Sequence, residues 1–238
     1  VSRRLAFLLF SGVCGSLAVP VAAVVVKKPL ASAKPAAPAA PARPSVTAPV
    51  ADSDGERQAM ARFADCIVTE DTRRASQYRD MRYDDARGAV LLRDIASNGC
   101  LRFGELSKST DMLRGAIFKS FYQREQKNAS TMPGEVPANF TAFVRDAKAP
   151  ESMRYLARMD FGACVVRADP ANARSLTLAT PGGQAEKAAL VALRPSLGAC
   201  VPSGLQVALT KTTISSALAE ALYRETQAGQ ATLAGVAK

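Results

Sequence analysis

The stretch FADCIVTED at residues 63–71 returns as FGACVVRAD at residues 161–169. Phe63 matches Phe161, Cys66 matches Cys164 and Asp71 matches Asp169. Downstream, Cys100 is matched by Cys200, and LRGAIFKSFY at 113–122 by ISSALAEALY at 214–223. The offset is 98 at the first cysteine, 100 at the second and 101 at the closing tyrosine, so insertions of one or two residues bring the copies into register. The pattern predicts a mainly α-helical domain of two tandem, disulfide-stapled helical repeats with approximate twofold symmetry. Each repeat alone has too little core, so the two are expected to pack through their apolar stripes.

Working outward from that stretch, Met60, Phe63 and Ile67 recur at helical spacing, which predicts an amphipathic helix from Glu56 to about Thr69. Asp71 is placed to cap a second helix running to Tyr78, and Asp84 or Asp85 a third, with Ala89, Leu92 and Ala96 on one face. Asn98-Gly99 reads as its stop. Ser109 is the expected cap of the last helix, whose stripe is Leu113, Ala116, Ile117 and Phe121. In the second copy Met153, Leu156 and Phe161 to Val166 form the first helix. Asp169-Pro170 is a strong helix start. Pro181-Gly182-Gly183 is a break, and Pro195 is expected to stop the helix before it. Thr210 matches Ser109 as a cap, and Ile214, Ala217, Leu218 and Leu222 repeat the final stripe. Leu205, Val207 and Leu209 alternate, so a short strand is expected there, with Leu101 and Phe103 as its counterpart. Phe140, Phe143 and Val144 in the connector should lie on a core. The division expected is repeat one at 56–125, connector at 126–149, repeat two at 150–226 and a frayed tail from 229.

The chain has five cysteines. Cys14 lies in the leader, and the remaining four allow three pairings. Each copy must be able to pair internally if it arose from one ancestral unit, which selects Cys66–Cys100 and Cys164–Cys200. A four-thiolate metal site or a redox dithiol would call for close C-x-x-C pairs, and the sequence has none.

Residues 1–26 read as an export signal: Arg3 and Arg4, an apolar run from Leu5 to Val13, Pro20, then Val21-Ala22-Ala23 as a small-x-small cleavage site. The alternative is an uncleaved inner-membrane anchor through residues 5–26. Residues 24–51 hold an Ala/Pro-rich linker that acts as an extended spacer. The formal net charge is +10, but residues 1–51 contribute six basic side chains and no acidic one. The rest is a mixed surface, which argues against nucleic-acid binding. A periplasmic or secreted location follows, and disulfides persist there.

The two-copy pattern over residues 60–226 resembles that of uncharacterised secreted proteins of alphaproteobacteria. The resemblance implies no activity, so no functional residue comes with it.

The sequence contains no histidine. Ser-His-Asp and Cys-His catalysis and His-ligated metals are therefore excluded. Asp71 and Asp169 are equivalent and could meet as an acid/base pair, but the capping reading is preferred. Tyr122 and Tyr223, followed by Arg124/Glu125 and Arg224/Glu225, could grip a ligand. The preferred reading puts the tyrosines at the core edge with their hydroxyls in solvent. Ser107, Lys108 and Ser109 lack the S-x-x-K spacing of a Ser-Lys nucleophile. No cofactor or metal is called for. The expected function is non-enzymatic binding of an envelope partner protein or a surface polymer. The alternative is a small carboxylate-dependent hydrolase using Asp71 and Asp169.

Overall fold

Residues 53–97, 99–100, 110–126, 137–201 and 209–236 are described by a computed structural model. They are mainly helical, with nine α-helices and one short 3-10 turn among the described residues. The first half holds α1 (Asp54–Glu70), α2 (Thr72–Asp80), α3 (Ala86–Ser97) and α4 (Thr110–Glu125). After the 3-10 turn at Phe140–Phe143 come α5 (Pro150–Ala168), α6 (Pro170–Leu178), α7 (Gln184–Ala192), α8 (Arg194–Cys200) and α9 (Lys211–Val236).

The helix starts follow from local chemistry. Ser53 caps α1 through a bond from the Glu56 N–H. Asp71 ends α1 and begins α2, its carboxylate accepting from the Arg74 N–H at 3.1 Å. Asp169 does the same between α5 and α6, accepting from the Asn172 N–H at 3.2 Å, with Pro170 at the first helical position. Of the two candidate caps for α3, Asp85 takes the role by accepting from the Arg87 N–H. Thr210 caps α9 reciprocally: its hydroxyl accepts from the Thr213 N–H while the Thr213 hydroxyl accepts from the Thr210 N–H. Gly182, at φ +79°, makes the turn before α7 that other residues reach only under strain.

α4 and α9 form the centre of the domain. Their closest approach is at Gly115, where a Cβ would sit 2.3 Å from the Ser216 Cβ. α1 packs on α4 and α5 on α9, where Gly162 meets the Ala217 carbonyl. Ile117, Phe118, Phe121, Leu218 and Leu222 are fully or almost fully buried between these layers. Phe140 and Val144 lie on the same core, as expected of the connector.

Both disulfides form as the duplication predicts, Cys66–Cys100 and Cys164–Cys200. Each closes a loop of similar length, 34 and 36 residues of separation. Closing such loops contributes about 3–4 kcal/mol each by restricting the unfolded chain.

Several expectations need correction. Pro195 does not stop a helix; it sits in the first turn of α8, where its missing N–H costs nothing. The chain beyond Glu225 is not frayed, because α9 continues to Val236. Glu225 and Thr226 are fully buried there, and the Gln230 amide donates to Gln126, so the tail is held by polar contacts that hydropathy does not register. On α3 Leu92 and Ile95 are buried and Ala89 is exposed, so the apolar face is rotated from the one expected. Met153 is also exposed, and Tyr155 and Met159 carry the buried face of α5 instead. Among the described residues there is no strand. Leu101, Phe103, Leu205, Val207, Asn98, Ser107, Lys108 and Ser109 lie outside the described residues, as do the leader and linker.

Candidate functional site

Five segments meet at one cleft: the end of α2, the turn at Met81–Asp85, the start of α3, the start of α4 and Glu151 on α5. The cleft has a volume of about 280 Å3 and is lined by Tyr78, Tyr83, Arg114 and Glu151, among others. Asp84 fixes the turn. One of its oxygens accepts from the Arg145 N–H (2.7 Å), the Asp146 N–H (3.2 Å) and the Ser152 hydroxyl (3.3 Å). Asp85 is held by the Arg87 and Arg145 guanidinium groups. Arg82 and Glu151 stand exposed at the rim.

Below the cleft lies a buried network of arginine, tyrosine and carboxylate. Arg114 on α4 is 3% exposed and donates through Nε and Nη2 to Glu220 on α9, which is 1% exposed. The Tyr155 hydroxyl also donates to Glu220, at 3.0 Å. Burial and the neighbouring Glu220 charge push the Tyr155 phenol far above its usual range, so it stays protonated and donates. Tyr83 stacks on Tyr155 with ring centroids 4.3 Å apart and donates to Asp111 at 2.7 Å. Burial, then the bond to Asp111, moves the Tyr83 phenol up to about 12. Burial alone would raise the Asp111 carboxyl, but the bond and charge of Arg158 at 2.7 Å, the bond from Tyr83 and the charge of Arg114 together outweigh it, and the net effect is a lowering. Arg224 closes the far side, stacked 3.8 Å over the Phe143 ring and bonded to the Arg79 carbonyl.

The two matched tyrosines are bound across the halves. The Tyr122 hydroxyl, from the first half, accepts from Arg174 on α6 at 2.8 Å. The Tyr223 hydroxyl, from the second half, accepts from Arg79 on α2 at 2.8 Å and donates to Glu125 at 2.7 Å. Both rings are buried, at 0% and 3% exposure, which corrects the expectation of solvent-facing hydroxyls. Both hydroxyls are bonded to side chains of the protein itself. Arg124 and Glu125 are exposed at the end of α4, Arg124 donating to the Thr69 hydroxyl. Glu225 is buried and accepts from Arg167 and from the Ala138 N–H.

The structure therefore does not bring the sequence-derived candidates together in one site. Asp71 and Asp169 are each bonded to the helix that follows them, and each tyrosine serves as an inter-half clasp. Cys66, Cys100, Cys164 and Cys200 are bonded in pairs. Sequence reasoning passed over Tyr83 and Arg114 in the cleft, and Asp111, Tyr155, Arg158 and Glu220 in the network beneath it. No local signal marked them, since α4 and α9 carry other polar and charged residues, Lys119, Ser120, Ser215, Ser216 and Arg224 among them, that look no different in sequence from Arg114 and Glu220. Among the described residues no group of three or more Cys, Asp or Glu side chains is placed to hold a metal ion. Among the same residues, no helix is long and apolar enough to cross a membrane.

Set against known families, curated proteins and solved structures, the chain matches none.

Proposed function

We propose that this chain is an exported binding protein of the cell envelope, non-enzymatic, that engages a partner protein or surface polymer at the cleft beside Tyr83. The observation that carries this reading is the chemistry of the cleft. Its floor is fixed by the Arg114–Glu220 pair and the stacked Tyr83 and Tyr155 rings. Beneath it Arg114 is paired with Glu220 and Arg158 with Asp111, while Arg82 and Glu151 face solvent at the rim. Tyrosine faces with one cation and one anion at the edge suit a chain with alternating polar groups, peptide or glycan. A pre-formed floor keeps the ordering cost of binding low.

The export part of the reading rests on the leader and linker read from the sequence, with the two closed disulfides in support. The halves are read as copies of one unit; the parallel cap geometry at Asp71 and Asp169 and the equivalent disulfides support this. The hydrolase alternative draws no support from Asp71 and Asp169, since capping occupies both.

Crosslinking in intact cells at native expression, followed by mass spectrometry, tests this proposal. A recurrent adduct that is lost in the R82A/E151A double variant, with the fold unchanged by circular dichroism, is expected. An adduct recovered equally from that variant would move the site away from the cleft.

A further inference from the structure

A second cavity opens on the opposite face of α4. Thr110 and Arg114 face the cleft, whereas Met112, Gly115, Ala116 and Lys119 turn the other way and line this smaller space of about 40 Å3. α1 supplies Arg57 to its wall, and the first two turns of α9 supply Thr212, Ser215 and Ser216. The volume suits the head of a small ligand and a water or two, not a whole metabolite.

Three residues on this wall bring hydrogen-bond donors that the protein leaves unused. Lys119 is 7% exposed and donates to one acceptor, the Ala179 carbonyl at 2.6 Å. No described carboxylate forms an ion pair with it. Arg57 is 6% exposed; its two terminal nitrogens are taken by Glu186 and Asp54, but its Nε is buried with no partner. The Ser215 hydroxyl is likewise buried and unpartnered.

The carboxylates around the cavity are bonded to groups other than Lys119. Glu186 is bonded to both terminal nitrogens of Arg57 and to the Gly182 N–H. Asp54 is shared between Arg57 and the exposed Lys211. The Lys119 ammonium is left over. Burial brings its pKa down to about 8, with Glu186 opposing that fall and Arg57 adding to it. A buried cation with no carboxylate bonded to it is costly, and a bound anion would lower the cost. The start of α9 adds the positive end of a 26-residue helix.

We propose that this cavity binds a single oxyanion, a carboxylate or phosphate group, with Lys119 as its charge partner and Arg57 Nε and Ser215 Oγ as hydrogen-bond donors. The chemistry is common to a free small anion and to an acidic group carried on a larger molecule. The site is separate from the cleft and does not depend on it.

The test is calorimetric titration of the full chain with inorganic phosphate and, separately, with acetate, at constant ionic strength set by chloride. Saturable binding of either anion at pH 7 supports the site, and the better binder names the class. Binding should vanish in Lys119→Met and weaken about tenfold in Ser215→Ala, while Asp71→Asn, remote from the cavity, should bind as the parent does. Acetate does not titrate between pH 7 and 9, so its affinity should fall about tenfold over that range as Lys119 loses its proton. Absence of saturable binding by both anions would overturn the proposal and leave the cavity to water. Equal binding by parent and by folded Lys119→Met would overturn it as well. Should Lys119→Met fail to fold, Ser215→Ala and the acetate pH series decide the matter.

Discussion

At the scale of single residues, the domain is defined by charges in places where side chains are otherwise apolar. Arg114 and Glu220 are both nearly inaccessible, and they are bonded to each other as an ion pair. Replacing a buried pair by apolar side chains of similar size is often nearly neutral, whereas removing one partner strands the other. Glu220→Gln should therefore lower unfolding free energy by about 3–5 kcal/mol in urea titrations, and Arg114→Met with Glu220→Leu should cost far less than either single change. Lys119 behaves differently, because no described carboxylate is ion-paired with it. Its pKa is about 8 in the folded chain against 10.5 for the free side chain. Below pH 8 both folded and unfolded chains hold the proton, and the full cost of burying the ammonium is present. Between pH 8 and 10.5 only the unfolded chain holds it, so that cost falls away as pH rises. The stability of Lys119→Met relative to the parent should consequently drop by roughly 3 kcal/mol from pH 7 to pH 10.5, whatever the lost bond to Ala179 contributes at both. Parallel denaturant midpoints across that range check it. A flat difference would show that Lys119 is not buried as a cation.

At the scale of helices, caps and periodicity were legible in the sequence, and polar burial was not. Asp71, Asp169 and Thr210 could be assigned because a capping side chain acts on residues two or three positions away, so sequence spacing and spatial distance coincide. Asp71→Ala and Asp169→Ala should each cost about 1 kcal/mol, independently, while Asp71→Asn retains most of the stability. A catalytic pair would behave otherwise, because either change would abolish a shared activity with little effect on folding. Stripe positions were less secure. α4 and α9 are enclosed on nearly all sides, so the one-sided stripes assigned to them described only part of their buried surface. For the same reason the tail of α9 was misjudged. Its Ala, Gly and Thr residues look featureless, but a helix already anchored by Tyr223 and Glu225 continues through them. Pro195 was read as a stop because proline's place in a first turn can be told from a break only once the next helix is known. The cleft was not legible at all. It depends on Arg114 meeting Glu220 across 106 positions of sequence, which no local pattern encodes.

At the scale of the whole molecule, the two halves are bound to each other by more than apolar contact. Gly115 lets α4 and α9 touch, and Arg79–Tyr223 and Arg174–Tyr122 clasp each half's last helix to the other half. The disulfides instead act within each half. Removing either pair, as Cys66→Ala with Cys100→Ala or Cys164→Ala with Cys200→Ala, should lower stability by about 3–4 kcal/mol without altering the folded helical content. Because the core is shared, unfolding should remain one transition in both variants, followed by circular dichroism and by tyrosine absorbance; separate transitions would show halves that fold independently. The functional reading makes the cleft the face that meets a partner. The direct test is a photo-crosslinking residue placed at position 82, on the rim, and in a second protein at position 191, where Val191 is exposed on α7. With both proteins produced in cells at native level, a discrete adduct from position 82 and none from position 191 is the predicted result. Adducts of the same identity from both positions, or from position 191 alone, would contradict the assignment of the cleft as the binding site.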